Sequence, residues 1–110
     1  MTTGRDPDLR IVALVGDLMD RSRLTTAIVG IEIIKEPEQA RDAACIVVDL
    51  ALGIGSVAAL RASAPRARIV AYGRHTDVDA LNAATAAGAD DAMPRSRFFR
   101  DPAAALGPYG

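Results

Sequence analysis

The chain has 110 residues and a formal net charge of −1, which is enough for one domain and a core without disulfide staples. Half of it is apolar and only 4% is aromatic, so a disordered chain is excluded and Ala, Val, Ile and Leu must fill the core. The balanced charge gives no case for nucleic acid or a membrane surface, and no apolar run approaches the roughly 20 residues of a bilayer span.

Met1 to Arg10 is polar and lacks the apolar centre of a signal peptide. Residues 1–9 are expected to form a disordered tail ahead of a single domain over 10–110. Ile11 to Val15 is a continuous apolar run ending at Gly16-Asp17, as in a central parallel strand covered on both faces. Asp20 can cap a helix running to about Val29, with Leu24 and Ile28 on one face and Gly30 as the stop. Ile31 to Ile34 is less uniformly apolar and reads as an edge strand. Glu36 to Ala43 is a short helix opened by Pro37. Cys45 to Val48 is a second buried strand, ending at Asp49, and its lone thiol fits a reducing cytosol.

Ser56 to Ser63 is helical with Val57 and Leu60 inward, and Arg68 to Tyr72 is the next strand, ending at Gly73. Thr76-Asp77-Val78-Asp79 has the form of a capping box, and the helix behind it runs to Ala87 with Gly88 as stop and Val78 and Leu81 on one stripe. Asp91 to Met93 is a weak fifth strand. Asp101 and Pro102 open a last helix of little more than one turn before Gly107-Pro108. Strands alternating with helices over short loops imply right-handed crossovers and a flavodoxin-like three-layer α/β fold, a five-stranded parallel sheet of order 2-1-3-4-5. That order places the less apolar second strand at an edge.

Ligands of such sheets bind beyond the carboxyl ends of the strands, near the switch point between strands 1 and 3. Asp17 follows strand 1 and Asp49 ends strand 3, so the two carboxylates would converge there. They suit a hard cation such as Mg²⁺, and a carboxylate beside a cation can act as a nucleophile toward phosphorus. They can equally be loop and helix caps. His75 reads as an exposed loop residue and Cys45 as core, while Gly53-Ile54-Gly55 lacks the third glycine of a dinucleotide fingerprint. Of Phe98 and Phe99, one is expected under the last helix and the other is a candidate for a partner surface. Tyr72 is core or lining.

Several segments resemble the receiver domain of bacterial response regulators (CheY-like). Leu14-Val15-Gly16-Asp17 with Asp20 resembles the receiver's first strand and its acids, and Ile46 to Leu50 resembles its third strand with the phosphoacceptor aspartate. Ala87-Gly88-Ala89-Asp90-Asp91-Ala92-Met93-Pro94-Arg95 resembles the Gly-Ala-Asp-Asp stretch leading to the family's basic residue. The resemblance implies Asp49 as phosphoacceptor, Asp17 and Asp49 as Mg²⁺ ligands, and Arg95 and Gly73 at the phosphate-binding and switch positions.

The pattern is degenerate. Gly16 stands where receivers carry the first of two acids, and Asp20 is nearby but reads as a helix start that can face away. Gly73 replaces the family's Ser or Thr, Arg95 its lysine and Ser96 the following proline. The resemblance therefore implies a stand-alone, atypical receiver-like signalling domain, not an enzyme, working through a protein partner such as a sensor kinase or a downstream protein, as a monomer or weak dimer. The alternatives are a phosphorylatable single-domain regulator accepting phosphate on Asp49 and a small-ligand-binding α/β domain.

Overall fold

A computed structural model describes residues 9–110. The expected tail, apart from Leu9, lies outside the described residues. Five strands form one parallel sheet: β1 (Ile11–Leu14), β2 (Glu32–Ile34), β3 (Cys45–Asp49), β4 (Arg68–Gly73) and β5 (Asp91–Pro94). Their order is β2-β1-β3-β4-β5, and all four pairings are parallel. The helices are α1 (Leu18–Ala27), α2 (Ile54–Ser63), α3 (Val78–Ala87), α4 (Arg95–Arg100) and α5 (Pro102–Ala105). The expected topology is present, with the partly exposed β2 at an edge.

Strand alternation sorts the core into two layers. Val12, Leu14, Ile46, Val48, Ile69 and Ala71 face one way, under Val57 and Leu60 of α2 and Ala84 of α3. Ile11, Ala13, Val15, Val47, Val70 and Tyr72 face the other, against Leu24, Ile28, Phe98 and Leu106. Cys45 is wholly buried in this second layer, and burial pushes its thiol up to about 11. Because β1, β3 and β4 are covered on both faces, their apolar runs are unbroken.

Local chemistry fixes the crossovers and moves several boundaries. α1 is capped by Asp17, whose Oδ1 accepts from the Asp20 N–H at 3.0 Å, so Asp20 lies in the first turn and is not the cap. The helix expected from Glu36 is a single 3-10 turn, Pro37–Ala40, followed by Asp42 at φ 68, a left-handed conformation that ends it. α2 opens two residues early, at Ile54. α3 is capped by Asp77, and Val78 is 57% exposed, so Leu81 and Ala84 carry its contact with the sheet. α4 was not expected. Phe98 packs inward from it and Phe99 packs partly inward, so neither is left over as a free aromatic. α5 is as short as expected, with Asp101 accepting from Ala104 N–H at 3.1 Å.

Candidate functional site

All strands run the same way, so the loops after β1, β3, β4 and β5 meet at one end of the sheet. They enclose a crevice of about 700 Å³ lined by Asp17, Asp20, Asp49, Tyr72, Gly73 and Arg95, among others. The four positions picked out by sequence, Asp17, Asp49, Gly73 and Arg95, thus stand together. β1 and β3 are neighbours, and each delivers its acid just past its last paired residues.

Asp20 dominates the electrostatics. It is wholly buried, and both carboxylate oxygens accept from the guanidinium of Arg95, which opens α4 after β5. The Tyr72 hydroxyl donates to Asp20 Oδ2 at 3.0 Å. The bidentate Arg95 pair holds this carboxyl below its usual range against the opposing effect of burial, and the Tyr72 bond adds to the lowering. Arg95 and Tyr72 are both raised, Arg95 mainly by its bond to Asp20 and Tyr72 mainly by burial. Either shift keeps the proton where the clamp needs it.

The guanidinium is held on a second side by aromatic faces. It lies 4.9 Å from the Phe99 ring centroid and 5.7 Å from that of Tyr72. Tyr72 stacks on Phe98 at 4.9 Å and meets Phe99 edge-on at 5.0 Å. Arg23 covers Phe99 at 5.6 Å. Arg95 is therefore fixed by charge at its tip and by rings along its plane, a geometry that a lysine ammonium cannot reproduce.

Asp49 is 8% exposed, and its Oδ1 accepts from Ala51 N–H at 2.9 Å. Burial raises its pKa, against the lowering effect of that N–H; the charges of Asp20 and Asp17 raise it further, while Arg95 pulls it down. Gly73 leaves tight space for a side chain, since Leu50 would have to give by a few tenths of an ångström. A Cβ there would stand 3.1 Å from Leu50 Cδ1 and 3.3 Å from Leu50 Cβ. At Gly16 a Cβ would meet only Leu52 Cδ2, at an ordinary 3.4 Å.

The donor set does not fit a divalent cation. Asp20 is engaged through both oxygens by Arg95 and Tyr72, and Oδ1 of Asp17 is engaged by the α1 cap. Among the described residues no three His, Cys, Asp or Glu side chains form a metal-holding group. The Mg²⁺ expected at Asp17 and Asp49 finds no third carboxylate among the described residues, because Asp20 is held by the tethered Arg95 guanidinium.

Sequence reasoning left Asp20 out of the site and read Tyr72 as core or lining, which it is, without its bond to Asp20. Asp20, Leu24 and Ile28 are spaced by four, so the buried stripe of α1 already contained the acid. Reading Asp20 as a cap, free to face away, hid that signal.

No protein-family model and no curated protein matches the chain. Solved structures do match. A response regulator protein from Burkholderia pseudomallei, solved with a phosphorylated aspartic acid, calcium ion and citrate, aligns at TM-score 0.74 and 19% identity, covering 90% of this chain and 66% of that one. A CheY-like protein (tadZ) from Pseudomonas aeruginosa PAO1 aligns at TM-score 0.65 and 19% identity, covering 81% and 88%. A response regulator from Thermotoga maritima aligns at 0.62 and 18%, covering 79% and 85%. The fold is thus that of the CheY-like receiver domains of response regulators. No helix among the described residues is long and apolar enough to cross a membrane.

Proposed function

We propose that the chain is an atypical, receiver-like signal-transduction module of the cytoplasm, acting as a monomer or weak dimer through contacts with a protein partner and without phosphoryl chemistry of its own. The observation that carries this reading is the commitment of Arg95 to the buried Asp20. A phosphoryl group on Asp49 needs a cation and donors around its three oxygens. Here the basic group is paired elsewhere, the hydroxyl position is Gly73 packed under Leu50, and the first acid is Gly16.

The second reading keeps Asp49 as a phosphoacceptor, because its carboxylate lines the open crevice. Incubation with acetyl phosphate and Mg²⁺, followed by intact mass measurement, separates the two. The proposal expects no mass gain in the wild-type protein. A phosphoryl-sized gain that disappears in Asp49→Asn overturns it in favour of the second reading.

A further inference from the structure

Among the described residues one buried side-chain nitrogen has no hydrogen-bond partner, Nε of Arg68. A charged donor shut from water without an acceptor is costly and calls for a physical account. Arg68 opens β4, and by strand alternation its side chain shares the face of Val70. Its ion-pair partner, Asp91 of β5, stands 3.9 Å from Nη2, beyond hydrogen-bond reach. Asp90, the next acid along the chain, gives Oδ2 to Arg61 and to the Ile69 N–H. The guanidinium of Arg68 therefore has no acceptor for any of its donors among the described residues.

Arg68 borders a cleft of about 310 Å³ along the β5 edge, which shares no lining residue with the crevice. Arg97 and Arg100, in the last turn of α4, line it too. Both are exposed and make no hydrogen bond or ion pair among the described residues. Arginines in a last turn complement a helix carboxyl end, but that gives no account of Arg68. The acids of the cleft are Asp91 and Asp101, and Asp101 already gives Oδ1 to the cap of α5. Three guanidinium groups thus line the cleft against two carboxylates, one partly committed and the other out of hydrogen-bond reach. Convergent guanidinium groups with so few acceptors suit an oxyanion. The rest of the lining is largely apolar, with Met93 buried beside Ala104 and Ala105. Pockets near this size hold small organic ligands.

We propose that this cleft binds a small phosphate ester, whose terminal oxygens accept from Arg68, Arg97 and Arg100 while its carbon skeleton lies over Met93 and Ala105. A phosphate monoester presents one terminal oxygen to each arginine, which a carboxylate cannot. An oxyanion set edge-on to Arg68 accepts from Nε and one Nη together, the paired fork that arginine offers and lysine does not. The Arg68 side chain is 33% exposed, so a small rotation turns Nε to the ligand. The site goes beyond a module that works through protein contacts, and it is independent of how Asp49 is used.

The test titrates phenyl phosphate into the ¹⁵N-labelled protein at fixed ionic strength, beside inorganic phosphate and a phosphoserine peptide. Phenyl phosphate is expected to shift amides in segments 91–93, 97–101 and 104–107 and at 68, and to leave those in 16–20 and 72–74 unmoved. It should bind more tightly than inorganic phosphate or the peptide. Arg97→Gln with Arg100→Gln should weaken it about tenfold. Arg41→Gln with Arg66→Gln removes the same charge from exposed positions outside the cleft and should leave the affinity unchanged. Arg68→Lys keeps the charge without the fork, and should weaken the ester while circular dichroism shows a folded protein. Absence of binding, shifts confined to the crevice, equal losses in the two double variants, or full affinity in Arg68→Lys would each overturn the site. Equal affinity for inorganic phosphate, or tighter binding of the phosphopeptide, would overturn the small ester as its ligand. The titration uses unmodified protein, so its outcome is separate from that of the acetyl phosphate experiment.

Discussion

Replacing Arg95 by Ala strips the counter-charge from a wholly buried carboxylate and leaves Asp20 with the Tyr72 hydroxyl as its side-chain donor. Breaking a fully buried ion pair from one side costs 3–5 kcal/mol in general, about. The Arg95 side chain is 43% exposed, so water entering its vacated space partly solvates Asp20, and a cost of about 2 kcal/mol is the better figure. For a domain of this size that corresponds to a fall of roughly 8 °C in Tm. The pH dependence gives a second, sharper signature. In the wild-type protein the folded pKa of Asp20 is lowered from 3.8, so its stabilisation is present above that value and is lost only as the pH falls through the folded pKa. In Arg95→Ala burial prevails and the folded pKa rises, so the penalty vanishes on acidification. The gap between the two proteins should be widest near neutrality and close as the pH falls. Adding Asp20→Asn should recover much of the loss, because the uncompensated charge is then gone. Urea unfolding followed by circular dichroism across pH measures all three proteins. An Arg95→Ala protein within 0.5 kcal/mol of wild type, about the scatter for surface changes, would refute the clamp, as would a gap that does not vary with pH.

Other consequences are open to the same measurements. Tyr72→Phe removes the 3.0 Å bond to Asp20 with the ring stack intact and should cost roughly 1 kcal/mol at neutral pH. Asp49 is raised by burial, so its charged form destabilises the fold as pH rises through the folded pKa; Asp49→Asn should raise Tm at neutral pH, and the gain should vanish in acid. Gly73→Ser places a Cβ 3.1 Å from Leu50 and should lower stability by about 1 kcal/mol without conferring phosphorylation; Leu50→Ala in the same chain should relieve the crowding. Added Mg²⁺ should leave Tm unchanged, since binding to the native state alone would raise it. Cys45, with its thiol pushed up to about 11 and no solvent exposure, should react with a thiol reagent at mildly alkaline pH only at the rate of unfolding.

The architecture was legible because its signals are strong and mutually consistent. Unbroken apolar runs at β1, β3 and β4 require cover on both faces, and the stops Gly30 and Gly88 with the cap Asp101 mark helix ends, while the box read at Thr76 points to the right helix but its cap is the next residue, Asp77. Convergence of Asp17, Asp49, Gly73 and Arg95 then followed from topology alone. The partnerships inside the crevice did not follow, because they cross long stretches of chain. Arg95 meets Asp20 from 75 residues away and Tyr72 meets it from 52, and neither spacing has a local signature. α4 was missed for a related reason. Arg95 to Arg100 carries three arginines and no cap, and its helix is stabilised by Phe98 in the core and by the rings stacked around Arg95. The short turn at Pro37–Ala40 replaced an expected helix because Asp42 takes a left-handed backbone that no propensity scale anticipates.

Whether the crevice holds one clamped carboxylate and one raised by burial can be read directly by titrating the side-chain ¹³C resonances of Asp20 and Asp49. The prediction is that Asp20 titrates below 3.8 and Asp49 above it, in the folded protein and with or without Mg²⁺. The reverse order, or a Mg²⁺-dependent fall at Asp49, would mean that Arg95 is not committed to Asp20 and that the site is open to the metal.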